Sequence, residues 1–236
     1  MGETWNPGRR DTGPRIVPGY RDPVDPTAAV RLRREYEGAG LHEDDIAGDP
    51  FTQFERWFAG VLEAELEEPN AFVVATADAD ARPSARAVLM KEMSADGIVF
   101  YTSMGSRKSS DIKANPVAAA TFVWLPLHRQ VRFEGRVAPV TPSEADAYFS
   151  TRPRGAQVAA HASAQSTVVR SRGDLDKLFG DFDRRFDDVV PRPEHWGGWR
   201  LTPDSVEFWQ GRPNRFHDRI VYRRDGDGWA TERLAP

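Results

Sequence analysis

The chain contains no cysteine among its 236 residues. It therefore has no disulfide, no thiolate nucleophile and no thiolate ligand for zinc or an iron–sulfur cluster. No uncharged apolar run approaches the roughly 18 residues that a membrane span requires, and residues 1–25 include no apolar segment typical of a signal peptide. These absences predict a soluble, cytoplasmic protein.

The motifs of several common enzyme classes are also missing. Gly38-Ala39-Gly40 lacks the preceding strand and the third glycine of a dinucleotide-binding turn, and the chain has no Walker A sequence, no zinc-protease helix motif and no G-x-S-x-G. The five histidines include no pair at metal-ligand spacing, so we predict no metal site. A net charge of -4 argues against a generic nucleic-acid-binding protein, although it allows a local basic pocket.

Composition predicts the domain organisation, and the residues that typically begin a helix predict the helices. Residues 1–25 are rich in Pro, Gly and charge and are expected to form a flexible N-terminal arm, and residues 26–236 a single domain. Pro at the first helical position, N-caps and a capping box predict helices in several places: Pro26 to Tyr36, Phe51 to Leu66, Ser109 to Ala114, Thr141 to Ser150 and Ser171 to Phe186.

Short apolar or alternating segments predict the strands, at 71–76, 85–91, 98–102, 117–124, 129–137, 199–201, 205–210, 216–223 and 229–234. In the segment 129–137, the apolar residues alternate cleanly with charged ones, as in a half-buried strand. Most connections are too short to contain a crossover helix, which favours antiparallel pairing. The predicted fold class is therefore α+β, an antiparallel sheet curled into a barrel with peripheral helices.

The segment Arg212 to Arg219 gathers three arginines and a histidine within eight residues. If the alternation of the preceding strand continues, Arg215, His217 and Arg219 share one face. Two guanidiniums and an imidazole are costly to bury without an anionic partner, so the row indicates a phosphate-bearing ligand with a histidine near its reacting end. A solvated edge strand is the alternative.

Other residues suited to phosphate lie at strand ends and in loops. Arg86 and Lys91 bracket one predicted strand, and Ser106-Arg107-Lys108-Ser109 precedes a predicted helix, where hydroxyls, cations and free backbone N–H groups suit a phosphate. For that tetrapeptide a solvated loop is the alternative. Arg152-Pro153-Arg154 is a further cationic pair, of a kind that most often lies at the surface.

Together these segments resemble the pyridoxine (pyridoxamine) 5′-phosphate oxidase family of FMN enzymes. The motifs that carry the resemblance follow in order: Leu32–Tyr36, Phe100–Thr102 with Ser106–Lys108, Arg129–Val131, Tyr148–Arg154, Trp196–Gly198, Val206–Gly211 leading into Arg215–Arg219, and the terminal Arg233–Pro236. The resemblance implies a split β-barrel and a homodimer with two FMN molecules at the subunit interface. It also implies oxidation of pyridoxamine or pyridoxine 5′-phosphate to pyridoxal 5′-phosphate, by hydride transfer from C4′ to flavin N5 and reoxidation by O2 to hydrogen peroxide.

The resemblance further implies which residues form the site. FMN is expected to contact Arg86, Ala87, Val88, Leu89, Met90, Lys91, Tyr101, Thr102, Arg107, Lys108, Gln130, Gln165, Ser166, Trp209 and Arg219. The substrate is expected to contact Arg33, Arg34, Glu35, Tyr36, Lys91, Tyr148, Arg152, Ala156, Arg215, Phe216 and His217. Arg215 and His217 are the expected catalytic pair, which orients the substrate and helps to manage its proton. The alternative for His217 is a structural hydrogen bond beside Asp218, and for Trp209 it is core packing.

Two positions depart from the family's pattern. Ala156 stands where the family has a Ser in the loop after Arg-Pro-Arg, and losing one hydroxyl from a charged cluster is expected to cost about 1 kcal/mol of binding. Ala159-Ala160-His161 replaces the family's Gly-Ala-Trp, and we expect His161 to be an exposed loop residue rather than a polar lining residue.

Three alternative functions remain open: a same-fold oxidase with another substrate, as in the phenazine pathway, a non-catalytic carrier of FMN or pyridoxal phosphate, and a polyanion-binding module.

Overall fold

The computed structural model describes Tyr36 and residues 40–236. The predicted arm, the predicted helix from Pro26, and Arg33, Arg34 and Glu35 lie outside the described residues. The described part contains five α-helices: α1 (Pro50–Glu63), α2 (Arg107–Ala114), α3 (Pro142–Ser150), α4 (Arg154–Ala162) and α5 (Arg172–Arg185). It contains nine strands: β1 (Ala71–Ala77), β2 (Pro83–Leu89), β3 (Glu92–Ser94), β4 (Gly97–Ser103), β5 (Val117–Trp124), β6 (Arg129–Pro139), β7 (Trp196–Gln210), β8 (Asp218–Asp225) and β9 (Gly228–Arg233). No helix in this part of the chain is long and apolar enough to cross a membrane.

All nine strands form one antiparallel sheet. Its main order is β2-β1-β5-β6-β7-β4-β3, and β8 pairs with both β7 and β9. The antiparallel α+β fold with peripheral helices is therefore confirmed. The short strand β3 was not predicted, and β8 begins two residues later than expected.

The inner face of the sheet is the core. One row of residues lies in register across β1, β5, β6, β7 and β8, and each is fully buried: Val74, Ala120, Phe133, Val206 and Tyr222. Helix α1 covers this face with Phe54 and Trp57. Burial of each large side chain of this kind contributes about 1.5–3 kcal/mol, so the period-two pattern of the strands determines which face packs inward.

Helix α1 begins where its sequence signals predict. The Asp49 carboxylate accepts hydrogen bonds from the backbone N–H groups of Phe51 and Thr52, both at 2.9 Å, and Pro50 occupies the first helical position. These bonds satisfy N–H groups that have no partner within the helix. The capping box of α3 is also present, with reciprocal bonds between Thr141 and Glu144.

Strand β7 joins the two halves of the sheet. Its first half pairs with β4 and its second half with β8, while β6 runs beside both halves. The prediction of two separate strands, 199–201 and 205–210, was therefore wrong. The chain continues through Pro203 because the register with β6 shifts there, between Glu134 and Gly135, so the missing N–H of proline falls at an irregular point of the ladder.

Gly135 is required by this irregularity. A Cβ atom at this position would lie 2.1 Å from the backbone oxygen of Thr202. We expect Gly135→Ala to destabilise the protein by about 1–3 kcal/mol, because the backbone of β7 cannot retreat without breaking the ladder. Urea denaturation measures this change. The control is Gly155→Ala in α4, where nothing lies within 4 Å; it should be neutral or stabilise by up to about 1 kcal/mol. Equal stability of Gly135→Ala and the wild type would contradict this account of the bulge.

Candidate cofactor and substrate site

A cavity of about 710 Å³ lies among the described residues. Its volume suits a small-molecule ligand. Twelve of the predicted site residues line it: Arg86, Ala87, Val88, Leu89, Lys91, Tyr101, Thr102, Lys108, Tyr148, Arg152, Ala156 and Gln165. Seven further lining residues were not predicted: Ser103, Thr151, Pro153, Ala159, Ala160, Ser163 and Trp196.

Lys108 is a buried cation within this cavity. Its side chain extends from the first turn of α2, and the residue is only 8% exposed. The Nζ atom donates to Thr102 Oγ1 at 2.9 Å, to Gln165 Oε1 at 2.9 Å and to Ser106 Oγ at 3.3 Å. All these partners are neutral oxygens. The alternative of a solvated loop for Ser106–Ser109 is therefore wrong, and none of these three partners neutralises the charge of the ammonium.

The electrostatics of Lys108 agree with this geometry. Burial, and to a smaller extent the positive charge of Arg86, together lower the pKa of Lys108 to about 8. Both causes make the charged form less favourable than in water. An anion bound beside Nζ would favour the charged form again, because it would replace the lost hydration and offset the repulsion from Arg86.

Arg86 is held in place by polar groups behind it. Its guanidinium donates to Thr76 Oγ1 at 2.7 Å and to Ser84 Oγ at 2.6 Å, and lies 3.7 Å from the buried carboxylate of Asp111. Burial lowers the pKa of Arg86, the charge of Asp111 raises it, and the charge of Arg107 lowers it again. Positive charge is thus concentrated at this end of the cavity.

Arg152 supplies a second cationic end. Its guanidinium lies over the ring of Trp196, 4.7 Å from the centroid, and its Nη1 atom is buried with no hydrogen-bond partner. Burial lowers the pKa of Arg152. A buried donor without an acceptor is costly, so an anion in the cavity would stabilise it.

Aromatic rings connect the two ends. The ring of Tyr101 stacks on Tyr148 at 4.1 Å and lies nearly parallel to Trp196 at 5.5 Å. Gly198 allows this arrangement, because a Cβ there would lie 2.7 Å from the Tyr101 ring. This contact explains the second glycine of the Trp-Gly-Gly motif, and that motif was the only sequence signal for Trp196 as a lining residue.

Six predicted cofactor residues do not line the cavity, and Met90, Arg107 and Ser166 are three of them. Met90 packs against the main core. The backbone N–H of Arg107 donates to Ser166 Oγ at 3.2 Å, and the Arg107 residue is exposed. This bond ties the loop that carries Gln165 and Ser166 to the first residue of α2, beside Lys108.

A second group of predicted residues lies elsewhere on the chain. Gln130, Trp209 and Arg219 are in register across β6, β7 and β8, and we call them the strand row. None of the three lines the cavity, nor do Arg215, Phe216 and His217. Within one described chain, the predicted site is thus divided into two parts.

The expected alignment of Arg215, His217 and Arg219 on one strand face was wrong. The chain leaves β7 at Gln210 and forms a short 3-10 turn at Pro213–Arg215 before β8 begins at Asp218. Asn214 and Arg215 have φ angles of 57° and 60°, in the left-handed region, so strand alternation cannot continue. Arg219 instead pairs with Glu207, with Nε 2.8 Å from Oε1.

His217 lies beside the strand row. Its ring is 4.6 Å from that of Trp209, and its Nδ1 accepts a hydrogen bond from the backbone N–H of Arg212 at 3.1 Å. Burial lowers the pKa of His217, and the charge of Arg215 lowers it further. The neutral ring therefore carries its proton on Nε2. The structural hydrogen bond considered for His217 is present, on the Nδ1 side of the ring.

Both departures from the family's pattern lie in helix α4, not in loops. Ala156 is in its first turn and lines the cavity near Arg152. His161 is in its last turn, half-buried, with Nε2 2.7 Å from the Pro191 carbonyl oxygen and its ring 4.6 Å from that of Phe186. The prediction of an exposed loop position for His161 was therefore wrong, because α4 packs against α5.

Comparison with known proteins assigns the fold to a class. The structure superposes with a TM-score of 0.79 on PhzG from Burkholderia lata 383 in complex with tetrahydrophenazine-1-carboxylic acid, at 31% identity, covering 83% of this chain and 98% of that one. A pyridoxamine 5′-phosphate oxidase-related, FMN-binding protein from Nostoc punctiforme PCC 73102 shares the fold, with a TM-score of 0.64 at 18% identity over 78% of this chain and 97% of that one. The protein is an FMN-binding split barrel, as expected.

Sequence comparison assigns the family. Residues 58–177 match the family model described as pyridoxamine 5′-phosphate oxidase, and residues 196–236 match the pyridoxine 5′-phosphate oxidase C-terminal dimerisation region. A pyridoxine/pyridoxamine 5′-phosphate oxidase from Rubrobacter xylanophilus is 53% identical over 206 residues, 87% of this chain and 95% of the relative. One from Burkholderia vietnamiensis is 50% identical over 213 residues, 89% of this chain and all of the relative.

The chain therefore belongs to the pyridoxamine 5′-phosphate oxidase family. It is an FMN-dependent oxidoreductase, and the resemblance and the cofactor inferred from the sequence are confirmed. The residues present fit the cofactor, because Lys108 is a desolvated cation whose partners are all neutral. Its ammonium is a donor of the charge-assisted kind that binds phosphate, once a phosphate replaces one of its neutral partners.

The lowered pKa of Lys108 predicts that FMN affinity decreases as the pH rises through about 8. Below that pH the ammonium is charged before FMN binds. Above it, binding must first protonate the amine, so Kd should increase by up to about tenfold per pH unit. Quenching of flavin fluorescence between pH 7 and 9.5 measures this effect.

Two variants on helix α2 test that assignment. Lys108→Met should weaken FMN binding at pH 7 by about tenfold to 150-fold, the cost of losing hydrogen bonds to a charged group, and should flatten the pH profile. Lys113→Met, which removes an exposed lysine from the same helix, should keep the wild-type profile. An unchanged slope in Lys108→Met would assign the titration to another group.

Proposed function

We propose that this protein oxidises pyridoxamine 5′-phosphate, pyridoxine 5′-phosphate or both to pyridoxal 5′-phosphate in the cytoplasm, with O2 as the final acceptor. The observation that carries the proposal is the presence of two desolvated cations, Lys108 and Arg152, in one cavity. FMN has one phosphate. A second anion site in the same cavity suits a second ligand that also carries a negative charge.

The proposed division of roles follows from position. Arg107 and Lys108, with Gln165 and Ser166 beside them, would hold the FMN phosphate. Lys91, Tyr148 and Arg152 would hold the substrate phosphate at the other end of the cavity, next to the parallel rings of Tyr101 and Trp196. When bound, FMN supplies the electron-accepting chemistry, taking hydride from substrate C4′ at its N5 and delivering electrons to O2.

A second copy of the chain is part of this proposal. Arg215, His217 and the strand row do not line the cavity of their own chain, although family resemblance assigns them to the same site. The match to a C-terminal dimerisation region covers all of them except Gln130. We therefore propose a homodimer in which the second copy places these residues against the first copy's cavity.

His217 is proposed to orient the substrate rather than to remove a proton. Its Nδ1 is occupied by the Arg212 N–H, and the lowered pKa favours the neutral ring. Nε2–H remains as a donor toward a substrate oxygen. Arg215, exposed on the preceding turn, would add positive charge at the same place.

Anaerobic mixing with pyridoxamine 5′-phosphate, followed by flavin absorbance, tests the function directly. The wild type should be bleached rapidly. Arg215→Ala should slow bleaching by roughly 100-fold, the cost of a misplaced substrate, while FMN stays bound. Arg107→Ala should chiefly weaken FMN binding, and Arg170→Ala, at a surface arginine, should change neither.

The other outcomes identify the alternatives. A yellow protein that no B6 phosphate bleaches would be a carrier. Bleaching by a tricyclic carboxylic acid and not by a B6 phosphate would indicate the phenazine-type reaction, which the likeness to PhzG at 31% identity favours as the second candidate. If Arg215→Ala chiefly weakens FMN binding, as is expected of Arg107→Ala, the division of roles is overturned.

Ala156 allows a separate test of the substrate end. Ala156→Ser would restore a hydroxyl near Arg152, and a gain of about 1 kcal/mol corresponds to a KM for pyridoxamine 5′-phosphate lower by about fivefold. FMN affinity should not change. Ala147→Ser, at an exposed position of α3, is the control. A change in FMN affinity without a change in KM would place the cofactor, not the substrate, at this end.

A further inference from the structure

Arg233, on the last strand, holds a segment near the start of the described chain. Its Nε and Nη2 atoms donate to the two carboxylate oxygens of Glu43 at 2.6 and 2.9 Å. Nη2 also donates to the Leu41 carbonyl oxygen at 2.7 Å, and Nη1 to Asp218 Oδ1 at 2.8 Å. One guanidinium thus uses all three nitrogens to join residues 41–43 to strand β8.

Asp218 completes the connection. Its Oδ2 accepts the backbone N–H of Leu41 at 3.0 Å and lies 3.5 Å from Arg212 Nε. Both polar backbone groups of Leu41 are therefore bound by this pair of side chains. The Leu41 side chain is 5% exposed and belongs to the main core, so the segment is fixed by packing as well as by charge. We call Glu43, Asp218 and Arg233 the terminal latch.

The latch follows Tyr36 in the sequence, and the Tyr36 ring packs against Trp209 of the strand row. The ring of Tyr36 is 4.2 Å from that of His128, 5.7 Å from His217 and 6.1 Å from Trp209. Gly211 permits this contact, since a Cβ there would lie 2.8 Å from the Tyr36 ring. Tyr36 is only five residues before Leu41, so the anchor at Leu41 limits how far the ring can move from His217.

We propose that Glu43, Asp218 and Arg233 are positioning residues that hold Tyr36 against His217 and Trp209, and so shape the substrate side of the site. The inference rests on the proposed function only in taking His217 to face the substrate. None of the three latch residues lines the cavity that contains Lys108. Trp209, an expected FMN contact, is held in β7 by its pairing with Gln130 and Arg219 whether or not the latch is intact. The latch should therefore affect substrate binding and leave FMN affinity unchanged.

Several charged contacts acting together make the latch effective. An isolated exposed ion pair contributes little, but a fork that binds one carboxylate through two nitrogens and also a carbonyl oxygen has a defined geometry. The hydrogen bond from Arg233 holds the pKa of Glu43 down at about 2. Glu43 therefore stays ionised throughout the neutral pH range, and the latch should not open on mild acidification.

Hydrogen exchange of the FMN-loaded protein tests the latch independently of catalysis. Arg233→Gln should accelerate exchange at the Leu41 amide by about tenfold or more. Glu43→Gln should have a smaller effect, because the bonds from Arg233 to Leu41 and Asp218 remain. Arg223→Gln is the matched control, since Arg223 forms an exposed ion pair with Glu232 and is not part of the latch. Unchanged exchange at Leu41 in both latch variants would refute the latch, whatever the substrate is.

Steady-state kinetics then test positioning. In the latch variants, the KM for pyridoxamine 5′-phosphate should rise by about tenfold in Arg233→Gln and by less in Glu43→Gln, with FMN Kd unchanged. Faster exchange with unaltered KM would overturn the positioning role. If the wild type does not oxidise B6 phosphates, the proposed function fails, while the exchange result still decides whether the latch exists. Glu43→Gln keeps the test valid if Arg233→Gln does not fold.

Discussion

The site depends on cations that the protein desolvates without providing a counter-charge. Lys108 is buried among neutral oxygens, and Arg152 has a buried Nη1 without an acceptor. Such groups cost free energy in the empty protein. An anion that binds beside them recovers that cost, so cofactor binding should add to the free energy of unfolding as well as to function. Asp111 and Thr76 hold Arg86 at the same end, so the charges are in place before a ligand arrives.

The number of arginines in a segment does not show which of them can bind an anionic ligand. The partners of each arginine in the folded chain show it. Arg219, in the segment most rich in cations, is paired with the buried carboxylate of Glu207, which also binds Arg132 at 2.7 Å. Arg233 and Arg212 share Asp218 in the same way. These partners lie on neighbouring strands or at distant positions of the sequence, so inspection of the local sequence cannot distinguish an arginine with an internal carboxylate from one that awaits a ligand.

Local rules predicted most of the fold. The cap at Asp49, the capping box at Thr141 and the alternation of β6 act over a few residues, and the structure follows them. The predictions were wrong where contacts between residues distant in the sequence determine the local structure. Strand β7 continues through Pro203 because β6 shifts register beside it, and His161 is helical and half-buried because α4 packs on α5. The turn at Asn214 and Arg215 requires left-handed backbone at two residues, which no local signal favoured strongly.

The site itself was predictable as a list of residues, but not as an arrangement. The sequence motifs indicated twelve residues that line one cavity, yet they also included Arg215, His217 and the strand row, which one chain places elsewhere. This division separates two properties. In the proposed division of roles, the cavity cations hold the FMN phosphate, whereas His217 and Tyr36 belong to a second surface, which is anchored through the C-terminal strand. Under that proposal, a change at Tyr36 or His217 leaves the cavity cations in place, so substrate preference can change without loss of the flavin pocket.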